Sequence, residues 1–236
     1  MSEVLQIDDL QVEVRRSPRR RTVDLIVDRL GEVVINIPES LPLQELESIV
    51  RRKQEWIYTK LGQKEIVLRS GGGKEYVTGE GFHYLGKKYR LRLLDSGDVA
   101  ANIPPLRLLN GRFLMPRSVV SDGRNHFIKW YMRQGQAWIS DAIETLKERV
   151  LAEPRTITVR DLQFRWGSCN AAGDLYFHWR VILLPANIVR YLVLHELVHL
   201  REHNHSPAFY EHLRRAAPEY REIEDWLEAN GDRYAL

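Results

Sequence analysis

A single cysteine, Cys169, stands among 236 residues, so no disulfide can form within the chain and nothing asks for an oxidising compartment. Long apolar runs are missing too. No stretch approaches the roughly 18 uninterrupted apolar residues of a membrane helix, which argues against membrane insertion. Met1 to Leu10 is acidic, where a secretory leader would start basic and turn apolar. The expected location is therefore the cytoplasm, with no membrane partner. Internal repeats and low-complexity tracts are not visible in the sequence. An excess of one charge is also lacking: 35 Lys and Arg face 32 Asp and Glu, net +3, too little to mark the whole chain as a nucleic-acid binder.

What is present suits an ordinary packed enzyme. A hydrophobic fraction of 44% at this length supports one generous domain or two small ones. The first half reads as strands. Val12 to Arg16, Thr22 to Asp28 and Glu32 to Ile37 are β-branched runs parted by Ser17-Pro18 and Gly31. Leu43, Leu46, Val50, Ile57 and Leu61 then recur at helical spacing between Pro42 and Gly62. Strands are expected again at Tyr76 to Thr78, Phe82 to Leu85 and Tyr89 to Leu94, with turns at Gly86 and Asn110-Gly111. Gly71-Gly72-Gly73 lacks the Lys-Ser/Thr ending of a phosphate loop and reads as a connector.

The second half is organised by helices. Ser121 to Val150 carries an aromatic and aliphatic stripe closed by Pro154, and strands are expected at Ile157 to Val159 and Leu175 to Leu183. Asn170 to Asp174 is a turn that would pair Phe164 to Ser168 with Tyr176 to Trp179. The resulting fold class is α+β, with a β-rich unit over 1–117 and a helix-centred catalytic unit over 118–236.

The chemistry lies in His195-Glu196-Leu197-Val198-His199. Residues four apart share a helix face, so both imidazoles can reach one metal ion, and Glu196 beside them can take a proton from an activated water. Ile188 to Leu194 run into the motif and Leu197, Val198 and Leu200 continue it, so the helix should be buried nearly all round. Burying two His and a Glu there is costly unless a metal compensates. Ser206 is a natural N-cap and Pro207 a natural first helical residue, so one helix should end near His203 and another begin at Pro207. Two histidines compete to be third ligand. His203 continues the helical series, but on a straight helix it would sit about 12 Å along the axis from His195. His205, on the turn, is not so constrained and is the better candidate, leaving His203 outside the metal shell.

Arg165-Trp166-Gly167-Ser168-Cys169, Trp179-Arg180-Val181-Ile182-Leu183-Leu184-Pro185, the His195 to His199 motif and Asn204-His205-Ser206 together resemble the YgjP-like metallopeptidases, relatives of the SprT-like and WLM zinc peptidases. Looser matches reach into the first half at Arg15 to Thr22, Gln54 to Ile57 and Tyr84 to Tyr89. The resemblance implies a zincin-like, gluzincin-type catalytic domain. It also implies one Zn2+ per chain on His195, His199 and His205, Glu196 as general base, and a peptide or protein substrate. His178 departs from the family pattern, in which an Asn is expected before the Trp.

Around this centre Arg165, His178, Arg180 and Tyr210 are each able to donate a hydrogen bond to a tetrahedral oxyanion. An edge strand beside the metal helix would hold an extended peptide. Cys169 reads as a structural residue of the hairpin. Two other activities compete with the peptidase. Some relatives are described as metal-dependent UTP pyrophosphohydrolases, which a cluster of Arg and Lys at the metal would favour. A SprT-like, nucleic-acid-associated protease would use the basic turn Arg15, Arg16, Arg19, Arg20 and Arg21, although a solvated, ion-paired turn is the favoured reading.

Overall fold

The computed structural model describes residues 2–27, 32–69, 74–95, 97, 103–162, 165–234 and 236, with side chains left aside at 2, 62–69 and 232. Gly31, Gly71-Gly72-Gly73 and Phe164, which the sequence assigned to a turn, a connector and a strand, lie outside those residues, as does Asp28 at the end of an expected strand. Eleven strands and five α-helices make a mixed α+β fold with three small sheets among the described residues.

The first sheet runs β1 (Ser2–Ile7), β2 (Leu10–Ser17), β4 (Val33–Pro38), β3 (Asp24–Val27). Its outer pairs are antiparallel, and the central pair β2 and β4 is parallel, with Val12 opposite Val33 and Val14 opposite Ile35. Side chains alternate across a strand, so Leu10, Val12 and Val14 face one way and Gln11, Glu13 and Arg15 the other. The apolar face is covered by α1 (Leu43–Arg69), whose Leu46, Val50, Ile57 and Leu61 close a core with Val12, Val14, Ile35 and Ile37. The helix extends beyond the expected end at Gly62, and β1 was not anticipated from the acidic amino terminus.

The second sheet repeats this plan. Its order is β5 (Gly81–Tyr84), β6 (Lys87–Leu94), β8 (Arg112–Pro116), β7 (Arg107–Leu109), again with a parallel central pair, and it is again followed by a long helix, α2 (Gly123–Val150). Leu85 with Gly86 and Asn110 with Gly111 take positive φ in the two hairpin turns, as the sequence required. Tyr76 to Thr78 is no strand: Tyr76 has φ 55°, which breaks an extended run, and its ring instead stacks on Phe82.

The third sheet is β10 (Gly167–Cys169), β11 (Asp174–His178), β9 (Thr156–Arg160), with β10 at an edge. β11 stops at His178, short of the expected Leu183. The His178 ring accepts from the Arg180 N–H at 3.0 Å, capping a 3-10 turn over Trp179–Leu183. The carbonyls of Ile182 and Leu183 then accept from Leu85 and Gly86. The second and third sheets, α2 and the helices α3 (Ala186–His199), α4 (Pro207–Ala216) and α5 (Tyr220–Asn230) share one core, in which Phe82 stacks on Phe127 with centroids 4.0 Å apart. Phe82, Phe113 and Met115, placed by sequence in the β-rich half, therefore pack in the same core as the metal-motif helix.

Candidate metal centre

Helix α3 begins after Pro185 and is buried on almost every face, with eleven of its fourteen residues inside the protein. It ends at His199, one turn before the expected His203, because the chain tightens: the Leu200 and Arg201 N–H groups donate back to Leu197 and Val198. That early stop swings the chain round, so His205 returns to the motif while His203 stays exposed. Ser206 caps α4 by accepting from the Phe209 N–H at 3.1 Å, and Pro207 opens the helix. Phe209 then forms a floor under the cluster, its ring centroid 5.0, 4.5 and 4.6 Å from those of His195, His199 and His205.

The three imidazoles converge. His195 Nε2 lies 3.2 Å from His199 Nε2 and 3.1 Å from His205 Nε2. Three nitrogens on a tetrahedral zinc with bonds of about 2.0 Å would be about 3.3 Å apart, so this donor set fits that ion with little movement. The other ring nitrogens have oxygen partners that would fix the tautomer. His199 Nδ1 is 3.1 Å from the Glu202 carbonyl, and His195 Nδ1 is 3.5 Å from the Tyr191 hydroxyl, which donates to Glu224 at 2.8 Å. His205 Nδ1 lies 3.2 Å from Glu13 Oε2. Such outer partners orient metal-binding imidazoles.

Burial first, and then the neighbouring imidazoles, push His195 well below the usual histidine range; the same causes take His199 down to about 3. Both are thus neutral and ready to donate lone pairs at neutral pH. Glu196 is buried beside them, and one of its oxygens, Oε2, finds no hydrogen-bond partner among the described residues. Burial, and next the Glu32 carboxylate, raise its carboxyl well above the ordinary range. A divalent cation held by the histidines would oppose that preference and favour the carboxylate form. Gly167 of β10 abuts Glu196 so closely that a Cβ there would overlap the carboxylate, so the edge strand and the Glu196 side chain share one space.

The remaining sequence candidates separate. Arg165 lines the cleft beside the histidines, its guanidinium donating to the Gln11 side chain at 3.2 Å and the Gln11 carbonyl at 3.1 Å, with Nε buried and without a hydrogen-bond partner among the described residues. Tyr210 stands at the rim, 40% exposed, with its ring 6.0 Å from that of His205. His178 Nε2 is 3.3 Å from Asp161, and the Arg180 guanidinium lies over the Trp179 ring. Cys169 has its thiol pushed up to about 12 by burial and then by the charges of Glu196 and Asp174. That is the inert thiol expected of a structural residue.

Two residues of the site were not foreseen. Glu13, on the polar face of β2, is held at about 2: burial works to raise it, but hydrogen bonds and charge from His205 and Arg15 prevail, with Arg15 Nε at 2.8 Å. Glu32, just before β4, brings a carboxylate 3.1 Å from His205 Nδ1 and 3.9 Å from His199 Nε2. Each looks like a surface acid in sequence; the only hint was Glu13 between the strand residues Val12 and Val14.

A buried helix carrying His195, Glu196 and His199, a third imidazole from the next turn and a buried carboxylate against an edge strand make a candidate centre of the metallopeptidase type. The chain belongs to the YgjP-like family: residues 21–230 match the YgjP-like metallopeptidase domain. Among solved structures, the metallopeptidase zymogen abylysin of Pyrococcus abyssi is similar over 42% of this chain and 99% of its own, at 23% identity and a TM-score of 0.37, too slight a likeness to carry an argument. No curated protein matches the chain. Membership implies a protein or peptide substrate. No helix among the described residues is long and apolar enough to cross a membrane.

Proposed function

We propose that this protein is a zinc-dependent metallopeptidase with a zincin-like catalytic half, holding one zinc on His195, His199 and His205. The observation that carries the reading is the convergence of the three Nε2 atoms, 3.1 and 3.2 Å apart along two edges, with Glu196 buried next to His195 on the same helix. When bound, the metal supplies Lewis acidity to the scissile carbonyl and to water. Glu196 accepts the proton of the attacking water and returns it to the leaving amine nitrogen, which its burial and single-residue displacement from His195 permit. Arg165, which lines the cleft and has a buried Nε, would donate to the developing oxyanion. The edge strand β10 takes the substrate as an added strand through main-chain hydrogen bonds.

The nucleotide alternative draws no support from the described residues of the cleft. A triphosphate needs several cations converging on the metal, whereas Arg165 is accompanied there by Glu13 and Glu32. Glu196→Gln tests the proposal: it should keep the metal and the fold while lowering peptide turnover by about 10²-fold or more. Turnover within a few-fold of wild type would remove Glu196 from the mechanism, and full metal content in His195→Ala, His199→Ala and His205→Ala would remove the metal assignment.

A further inference from the structure

Four ligand atoms, one each from Glu32, His195, His199 and His205, lie within 4.8 Å of one another. Three belong to the metal-motif helix and the turn after it; the fourth comes from the amino-terminal sheet. His205 Nδ1 carries one proton when Nε2 binds a metal, and two carboxylates lie within reach of it, Glu32 Oε2 at 3.1 Å and Glu13 Oε2 at 3.2 Å, of which Glu13, itself fixed by Arg15, suffices to accept it. The Glu32 carboxylate is therefore not required to orient that ring. The space around the centre is also small. A half-open cleft, with about 50 Å³ for the centres of water molecules, is lined by Gln11, Glu13 and Glu32 and by Arg165, Gly167 and His199. On that measure one water needs about 10–15 Å³, so the cleft holds a few waters between β10 and the residues of the amino-terminal sheet that face it.

We propose that Glu32 is a fourth protein ligand of the metal, supplied by the amino-terminal sheet, so that the structure captures a latent peptidase. The proposal rests on the three-histidine reading. Zinc with four protein ligands is the closed, structural kind of site, whereas a hydrolytic zinc keeps one position open for water and substrate. Here the open position is filled by a carboxylate that does not belong to the catalytic helix. Withdrawing the amino-terminal sheet would remove the ligand and uncover β10 in one motion. That sheet is equipped to move as a body, because it closes its own core with α1 and meets the centre through the polar contacts Gln11 to Arg165, Glu13 to His205 and Glu32 to His199 and His205.

Cobalt-loaded protein provides the test, since its visible absorption reports coordination number without any substrate. Wild type, Glu32→Gln and Glu32→Ala should each bind one equivalent of Co2+. The variants should show the weaker absorption of a site that has gained water, hold the metal at least tenfold less tightly against a chelator, and respond to a peptide hydroxamate that leaves the wild-type spectrum unchanged. Cleavage of a short unstructured peptide should rise in both variants. Variant spectra and affinities equal to wild type would overturn the fourth ligand. A wild-type spectrum that shifts fully with hydroxamate would overturn the latency, even if a variant failed to fold. Failure of the histidine reading looks different: His195→Ala and His199→Ala would then still take up a full equivalent of cobalt.

Discussion

The two sheets that precede the metal centre share a strand order, a parallel central pair and a long following helix, yet they relate to the site in opposite ways. The second opens its apolar face into the common core, where Phe82, Phe113 and Phe127 pack with the residues that hold α3. The first closes its apolar face with α1 and turns its polar face to the metal. One unit is a structural wall, so its contribution cannot be withdrawn without unfolding the centre. The other touches the centre by charge and hydrogen bonds, which are exchangeable for water. A repeated architecture thus supplies both a fixed support and a removable cover, and the difference lies in which face of the sheet was made apolar.

The largest effect should come from attacking the two cores separately. Phe113 is fully buried in the common core, and Phe113→Ala should cost about 3–5 kcal/mol. Amide exchange should quicken in α3 and metal affinity fall with it. Ile35→Ala, also fully buried, should cost about 2–5 kcal/mol but confine its faster exchange to residues 2–61, leaving α3 protected. Equal acceleration in α3 from both variants would show that the two cores melt as one and erase the distinction.

A smaller effect tests the polar face alone. Glu13→Gln keeps the shape of the side chain and removes the charge that His205 and Arg15 share, so metal affinity should fall by about 10- to 100-fold, the usual cost of an outer-shell partner. In a His205→Ala background the same change should cost almost nothing, since its route to the metal is gone. Equal losses in both backgrounds would mean that Glu13 acts on the fold and not on the ring.

These contrasts also show what was legible beforehand. His195, Glu196 and His199 were readable because local helix geometry alone brings them together, and His205 because Ser206-Pro207 announces the next helix. The hairpins at Gly86 and Asn110-Gly111 were readable for the same reason, a backbone requirement met within two residues. Glu13 and Glu32 were not, because their roles depend on which face of a sheet meets a helix more than 150 positions away, as the span from Glu13 to His205 illustrates. The repeat of sheet plan was hidden too, since hydrogen-bond order leaves only a period-2 pattern in the sequence. Leu175 to Leu183 misled as one strand because its apolar run continues through a 3-10 turn that is equally buried.

The smallest effect should come from the basic turn at the end of β2, in which Arg15 reaches the metal-facing Glu13 and Arg19 and Arg21 stand in solvent. Its charge is largely committed within the protein. Arg15 pairs with Glu13 at 2.8 Å, Arg16 donates to the Leu41 carbonyl at 2.7 Å and lies 3.5 Å from Glu3, and Arg20 lies 3.9 Å from Asp24. Arg19 and Arg21 are exposed. Each phosphate contact contributes roughly one unit to the salt slope of nucleic-acid binding, so two exposed arginines give a shallow dependence and weak affinity. Arg19→Ser with Arg21→Ser should therefore leave metal affinity and peptide turnover unchanged, and the wild type should show no measurable DNA or RNA binding at physiological salt. Tight binding with a steep salt slope that the double substitution flattens would make the amino-terminal sheet a nucleic-acid reader as well as a cover for the metal.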